Sequence, residues 1–306
     1  MQISTSYLFD RASQQMGKLQ TDLAKSQAQI SAQKQVLNPS DAPDQSAAIL
    51  RLKSVIGRQD SYSKSLDTIN TRLSAEDTTL KSANDLIVRV KEIAVQASND
   101  TLSSADRQAL GTELKGLRGE LLSLANTQDS NGNYLFAGSR VSQPAFAADA
   151  SGQTVYQGDQ THMNVMVGEN QSIPINRSGS DAFVRVVRTA GGVSTGVSFF
   201  QSLDDLTAGV NSSDPVAMQR GLGEVDSLQQ GISLAQASVG TDMKVVDQQA
   251  SVVRDTTLGL KTTLSNIEDL DFATAITQMN KQMLALEAAQ SSFAKISQLS
   301  LFNYIK

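Results

Sequence analysis

Leu52, Gln59, Leu66, Leu73, Leu80, Ile87 and Ala94 recur every seven residues, and Val55, Tyr62, Ile69, Glu76, Ala83, Val90 and Ala97 follow three positions behind. Alternating steps of three and four keep one face of an α-helix against a partner, so the run predicts a long helix with a coiled-coil seam. No proline lies between Pro43 and Pro144, and Gly57 is the only glycine between Pro43 and Gly111. A helix of about 46 residues would be roughly 70 Å long. Gln59 and Glu76 interrupt the seam; each is expected either to be hydrogen-bonded or to lie where the partner helix is missing.

A second run, Val225, Ile232, Val239, Val246, Val253, Leu260 and Ile267, has the same period. Asp214 can cap it and Pro215 suits its first turn. Its companion track starts with Gln229 and Gln236 and turns apolar at Met243 and Ala250, so the seam is expected to be tightest after Val239. Between the two runs, Ser103 and Ser104 are cap candidates for a shorter helix with Leu110, Leu114, Leu117, Leu121 and Leu124 on one face. That helix should fold back on the first through a turn at Asn99-Asp100.

From Asn131-Gly132-Asn133 onward the period changes, and short alternating or β-branched runs appear at 154–157, 162–167 and 172–175, with another at 183–187. Helix returns with Phe199, Leu203, Leu206 and Val210. The pattern predicts a mainly α chain with a β insert: an elongated antiparallel helical rod or coiled coil, with paired terminal helices and a small inserted β-domain. Residues 1–40 with 270–306 are assigned to the terminal helices, 41–135 with 214–269 to the helical core, and 136–213 to the insert.

The two ends carry stripes of their own. Phe9, Met16, Leu23, Ile30 and Leu37 are spaced by seven, and Phe272, Ile276, Met279, Met283, Leu286, Phe293 and Ile296 line a second face after acidic Glu268, Asp269 and Asp271. Leu299, Leu301 and Phe302 carry apolar character almost to the last residue, where chains are usually frayed and polar. The two stripes either cover each other within one monomer or are covered by neighbouring subunits; the pattern leaves both arrangements open.

Composition narrows the chemistry. Aromatic residues make up 5% of the 306, Trp and Cys are absent, and His162 is the single histidine. Thiolate chemistry, most zinc sites and most nucleophilic mechanisms are therefore unsupported, and no catalytic, cofactor-binding or metal-ligating set is expected. His162 lies in a Gly/Gln/Thr-rich stretch and reads as an ordinary strand or surface histidine, and Gly158-Asp159 is not followed by repeated oxygen-ligand spacing. The net charge of −5 is spread without a basic run, which argues against nucleic acid, and no apolar run is long enough for a membrane span. The opening MQISTSYLFDR lacks the basic-then-apolar pattern of a cleaved signal peptide.

Particular segments add a resemblance. Gln29-Ile30-Ser31 followed by Asn38-Pro39-Ser40-Asp41-Ala42-Pro43, the stretch Gly132-Asn133-Tyr134-Leu135-Phe136-Ala137-Gly138, Val155-Tyr156-Gln157-Gly158-Asp159, and the tail Ala294 to Tyr304 occur in the order found in one family. They resemble the hook–filament junction proteins (hook-associated protein 3) of the bacterial flagellum, a flagellin-like family. Ala32-Gln33 stands where that family usually has Thr/Ser-Gly, and Gln35 where Arg is common. Flagellin shares the arrangement of paired terminal helices around an inserted middle, but its own motif is replaced here by Asn38, Pro39, Ser40, Asp41 and Pro43.

The resemblance implies a structural, non-enzymatic subunit, exported without a cleaved signal to the extracellular flagellum, joining hook to filament and offering flagellin its assembly surface. It implies contacts with copies of itself, with flagellin, with the first hook-associated junction protein and with a flagellar export chaperone. The terminal stripes would be the assembly interface, mobile in the monomer and ordered on docking.

Overall fold

The structure, a computed structural model, describes residues 2–190 and 193–302. Among these, seven helices and six short strands follow one another: α1 (Gln2–Ala32), α2 (Pro43–Ala97), α3 (Ser104–Ala125), β1 (Phe146–Ala148), β2 (Thr154–Tyr156), β3 (Asn164–Met166), β4 (Ser172–Pro174), α4 (Gly179–Ala182), β5 (Val186–Ala190), β6 (Val193–Val197), α5 (Phe199–Ser212), α6 (Pro215–Glu268) and α7 (Phe272–Phe302). The fold is mainly helical with a β insert, as the periodicity predicts. The chain divides into one unit of residues 1–59 and 255–306 and another of residues 60–254, and both α2 and α6 contribute to each.

Helix boundaries follow from local chemistry. Ser103 and Asp106 form a reciprocal capping box at α3. The Asp214 carboxylate accepts from the amides of Val216 and Ala217 at 2.9 and 3.2 Å, and Pro215 opens α6 without needing a donor. Asp271 does the same for α7 through Ala273 and Thr274.

In the unit of residues 60–254 the α2 seam is sealed. Leu66, Ile69, Leu73, Leu80, Ala83, Ile87, Val90, Ala94 and Ala97 are all buried, in one cluster with Leu110, Leu114 and Leu121 of α3. Gln59 is half-buried, whereas Glu76 lies inside the seam, within 3.6 Å of two guanidinium groups. The α6 seam departs from expectation. Its companion track is Leu228 and Ala235, both buried, so the packing is already tight before Val239. These residues lie three positions after Val225 and Ile232, and Gln229 and Gln236 are only half-buried, because a three-step follows each apolar residue here where a four-step was expected.

The insert consists of three separate antiparallel hairpins, β1–β2, β3–β4 and β5–β6. The run at 183–187 is not one strand. Phe183 ends the single turn α4, and β5 begins at Val186. Five phenylalanines (Phe136, Phe146, Phe183, Phe199 and Phe200) meet at centroid distances of 5.1–6.2 Å, mostly edge to face, and supply the insert with a core that no strand of three residues could build. The Tyr156 hydroxyl pins this cluster, its one proton lying between the carbonyls of Phe136 and Asp159 at 3.0 and 2.8 Å.

Gly179 sits against the rings, where an added Cβ would lie 2.8 Å from Tyr156, 2.9 Å from Phe146 and 3.0 Å from the Phe136 carbonyl. Gly179→Ala is therefore expected to lower the unfolding free energy by about 1–3 kcal/mol. A urea midpoint equal to that of the unsubstituted chain would show that the cluster is looser than this packing requires.

Candidate assembly site

Residues 33–42 and 269–271 interrupt the helices of the unit formed by 1–59 and 255–306. The interruptions are held side by side. Gln35 N donates to Glu268 O at 2.8 Å and Leu270 N to Gln33 O at 3.2 Å, a short antiparallel bridge around Lys34 and Asp269. The Glu268 carboxylate closes it: Oε1 receives Lys34 Nζ at 2.7 Å and Lys53 Nζ at 2.8 Å. Burial would raise the Glu268 pKa, but the hydrogen bonds from the two ammonium groups outweigh it and hold the carboxyl below its ordinary value.

The segment Asn38 to Pro43 forms the turn into α2. Asp41 accepts from Asn38 N at 3.0 Å and returns its own amide to Asn38 O at 2.9 Å, while Lys25 Nζ reaches Asp41 Oδ1 at 2.8 Å. Hydrogen bonding from Lys25, then from the Asn38 amide, keeps Asp41 ionised. Pro39 restricts the backbone of Asn38, Ser40 is exposed in the turn, and Pro43 is the first residue of α2. α1 ends one step earlier on Gln33, which takes φ +59°, the left-handed region that favours glycine. The amides of Gln33 and Lys34 bond back to Ile30 O and Gln29 O. This is the position at which the resembling family carries glycine.

Beyond the interruptions, α1 and α7 run antiparallel against each other. Phe9 and Phe293 meet with centroids 4.7 Å apart, and Ser26 Oγ donates to Gln282 Oε1 at 2.8 Å. Within one chain, then, the stripes do cover each other in part. Met16, Leu23, Ile30, Leu37, Met279, Leu286 and Phe293 are half-buried. Phe272, Ile276 and Met283 keep 42%, 44% and 45% of their surface exposed, and Phe9 keeps 46%. The side chains of Ile296, Leu299, Leu301 and Phe302 lie outside the described residues.

Sequence reasoning did not reach the clasp residues Lys25, Lys34 and Lys53, and it read Glu268 only as an acidic residue ahead of α7. The clasp's one legible trace was the replacement of glycine by Gln33. What the arrangement can do is hold two helix breaks in register and present an apolar helix face. Among the described residues, no group of His, Asp or Glu could hold a metal ion, and no helix is long and apolar enough to cross a membrane.

Comparison with known proteins is consistent over the full length. Models of the bacterial flagellin N-terminal and C-terminal helical regions match residues 3–141 and 222–305. Residues 142–221, which carry the six described strands and α5, lie between them. The chain is 27% identical to flagellar hook-associated protein 3 of Salmonella typhimurium over 316 residues, covering 99% of both chains. It is 27% identical to the Escherichia coli K12 protein of the same name over 100% of both. A solved structure of flagellar hook-associated protein 3 from Legionella pneumophila matches with a TM-score of 0.65 at 19% identity, covering 72% of this chain and 98% of that one, a likeness of fold.

Two outcomes test the clasp. Gln33→Gly should raise stability by about 0.5–1 kcal/mol by relieving the left-handed conformation. Because the Glu268 pKa is lowered on folding, its contribution is present above the ordinary value of 4.5 and lost as the pH falls through the folded value. The acid limb of the stability profile should therefore be shallower in Glu268→Gln than in the unsubstituted chain, and identical limbs would exclude the clasp as a stabilising contact.

Proposed function

The chain belongs to the bacterial flagellin family, and from that membership we propose that its place is the joint between hook and filament. It is a structural subunit of the bacterial flagellum. The observation that carries the junction reading is end-to-end similarity to hook-associated protein 3, together with the Asn38–Pro43 turn in the place of flagellin's own motif.

The terminal helices are its assembly interface. Phe272, Ile276 and Met283 share the outer face of α7, and an apolar row left half-uncovered invites a partner helix. Full burial of such a side chain is worth about 1.5–3 kcal/mol, so covering the exposed half of three of them contributes on the order of 3 kcal/mol per subunit contact. α1 and α7 are already helical and paired in the single chain, so docking need not order them from coil at about 1–2 kcal/mol per residue. Contacts that repeat from subunit to subunit without closing on a pair then extend into a lattice. The partners are copies of this chain, flagellin on one side, the first hook-associated junction protein on the other, and an export chaperone that covers the apolar row before assembly.

Ile276→Asp and Met283→Asp test the interface better than a substitution at Phe293, which already touches Phe9 within the monomer. Both side chains are close to half exposed in the single chain, so the melting temperature should stay within about 2 °C while cells lose attached filaments and shed flagellin into the medium. Normal filaments on either variant would remove α7 from the interface. Deleting the gene should leave hooks without filaments; filaments of normal length in its absence would sink the junction reading itself.

A further inference from the structure

Glu76 is 1% exposed, between Leu73 and Leu80 on the sealed face of α2. Two guanidinium groups approach it, and both are committed elsewhere. Arg72 donates through Nη1 to Asp129 Oδ2 at 3.1 Å and through Nη2 to Leu135 O at 3.0 Å. Arg177, in the insert between β4 and α4, donates through Nη1 to Ser238 Oγ at 3.1 Å and through Nη2 to Asp242 Oδ2 at 2.7 Å on α6. Only their Nε atoms turn toward Glu76, Arg72 Nε 3.6 Å from Oε1 and Arg177 Nε 3.6 Å from Oε2, beyond hydrogen-bonding distance. Glu76 Oε1 and both Nε atoms are buried without a hydrogen-bond partner.

Charge balance points the same way. Asp129 and Asp242 each take one guanidinium, and Glu76 is the surplus carboxylate in a buried cluster. An ionised group so placed is the form that burial disfavours. Beside it lies a cavity of about 220 Å³ lined by Glu76, His162, Asn176, Arg177, Ser238 and Asp242, with room for a few water molecules that can deliver a proton.

We propose that Glu76 is a buried proton-binding site, and that the proton it carries holds the Arg177 segment of the insert against α2 and α6. Lifting residues 175–178 opens the cavity and returns the carboxyl to water. Burial pushes the closed-state carboxyl up from 4.5 to about 7, against the pull of Arg72 and Arg177 and with a further push from Asp242. The remaining titratable groups nearby are Asp129, beyond Arg72 in the turn after α3, and His162 across the cavity. Between pH 4.5 and about 7 the closed form therefore binds the proton that the open form has lost. Closure weakens as the pH rises through that window, by up to about tenfold per pH unit, and levels off above it.

Hydrogen exchange of the full chain from pH 5 to 8, corrected for intrinsic rate, reads this through peptides covering 172–178 and 235–245. Protection should fall between pH 5 and 7 and then stay flat. Glu76→Gln keeps the shape without the titration, so its protection should not vary with pH, and His162→Gln should behave as the unsubstituted chain. Constant protection in the unsubstituted chain, or a pH dependence that survives Glu76→Gln or disappears in His162→Gln, would overturn the proposal. If Glu76→Gln does not fold, carboxyl carbon NMR of the unsubstituted chain labelled at glutamate decides directly. One resonance titrating near pH 7 supports the site, and none above the ordinary carboxylate range removes it.

Discussion

Leu66, Ile69, Leu73, Leu80, Ala83, Ile87, Val90 and Ala94 form a stripe that α2 cannot cover by itself, and covering it organises the unit of residues 60–254. α3 returns along it with Leu110, Leu114 and Leu121, while α6 contributes Val225, Leu228, Ile232 and Val239 to the same cluster. The insert does not stand apart, because Phe136, Phe146 and Phe183 belong to that continuous core. Its hairpins are too short to be stable alone, so their order derives from the helices they pack on. The low aromatic content follows from this division. Thin helical seams are filled by Leu, Ile, Val and Ala, and rings gather where irregular chain must enclose a deeper core.

Three glutamates are buried among the described residues, and the geometry of their donors gives them different characters. Glu268 is reached by two lysines at hydrogen-bonding distance and is held ionised. Glu224 is paired with Arg188, whose guanidinium also meets Asp205, in a network linking β5, α5 and α6. Glu76 faces two arginines that spend their best donors on other acceptors, and burial prevails. The number of cations nearby does not decide the protonation state; the hydrogen bonds actually formed do.

In the unit of residues 1–59 and 255–306 the physics is one of partial coverage. α1 and α7 satisfy part of each other's stripe through Phe9, Phe293 and the Ser26–Gln282 bond, and leave Phe272, Ile276 and Met283 half-open. The clasp at Glu268 sets where each helix stops. A terminal pair built this way covers part of its apolar stripe and leaves the rest open.

The chain's own pattern determined the long helices, the caps at Ser103 and Asp214, the acidic lead into α7, the turn at Gly132 and the return of helix at Phe199, because period and capping are local properties written in neighbouring residues. It also carried the family resemblance in short motifs such as Asn38–Pro43. It did not reveal β1 or β6, whose three to five residues carry too little alternation to read, nor the companion track of α6, where Leu228 and Gln229 fit different registers equally well until α2 is in place. Whether the terminal stripes meet each other, which lysines close on Glu268, and that Arg177 comes from about 100 residues away to face Glu76 were decided only by the tertiary structure. These are long-range pairings, and a charge or an apolar side chain shows in sequence what it needs, but not which distant residue supplies it.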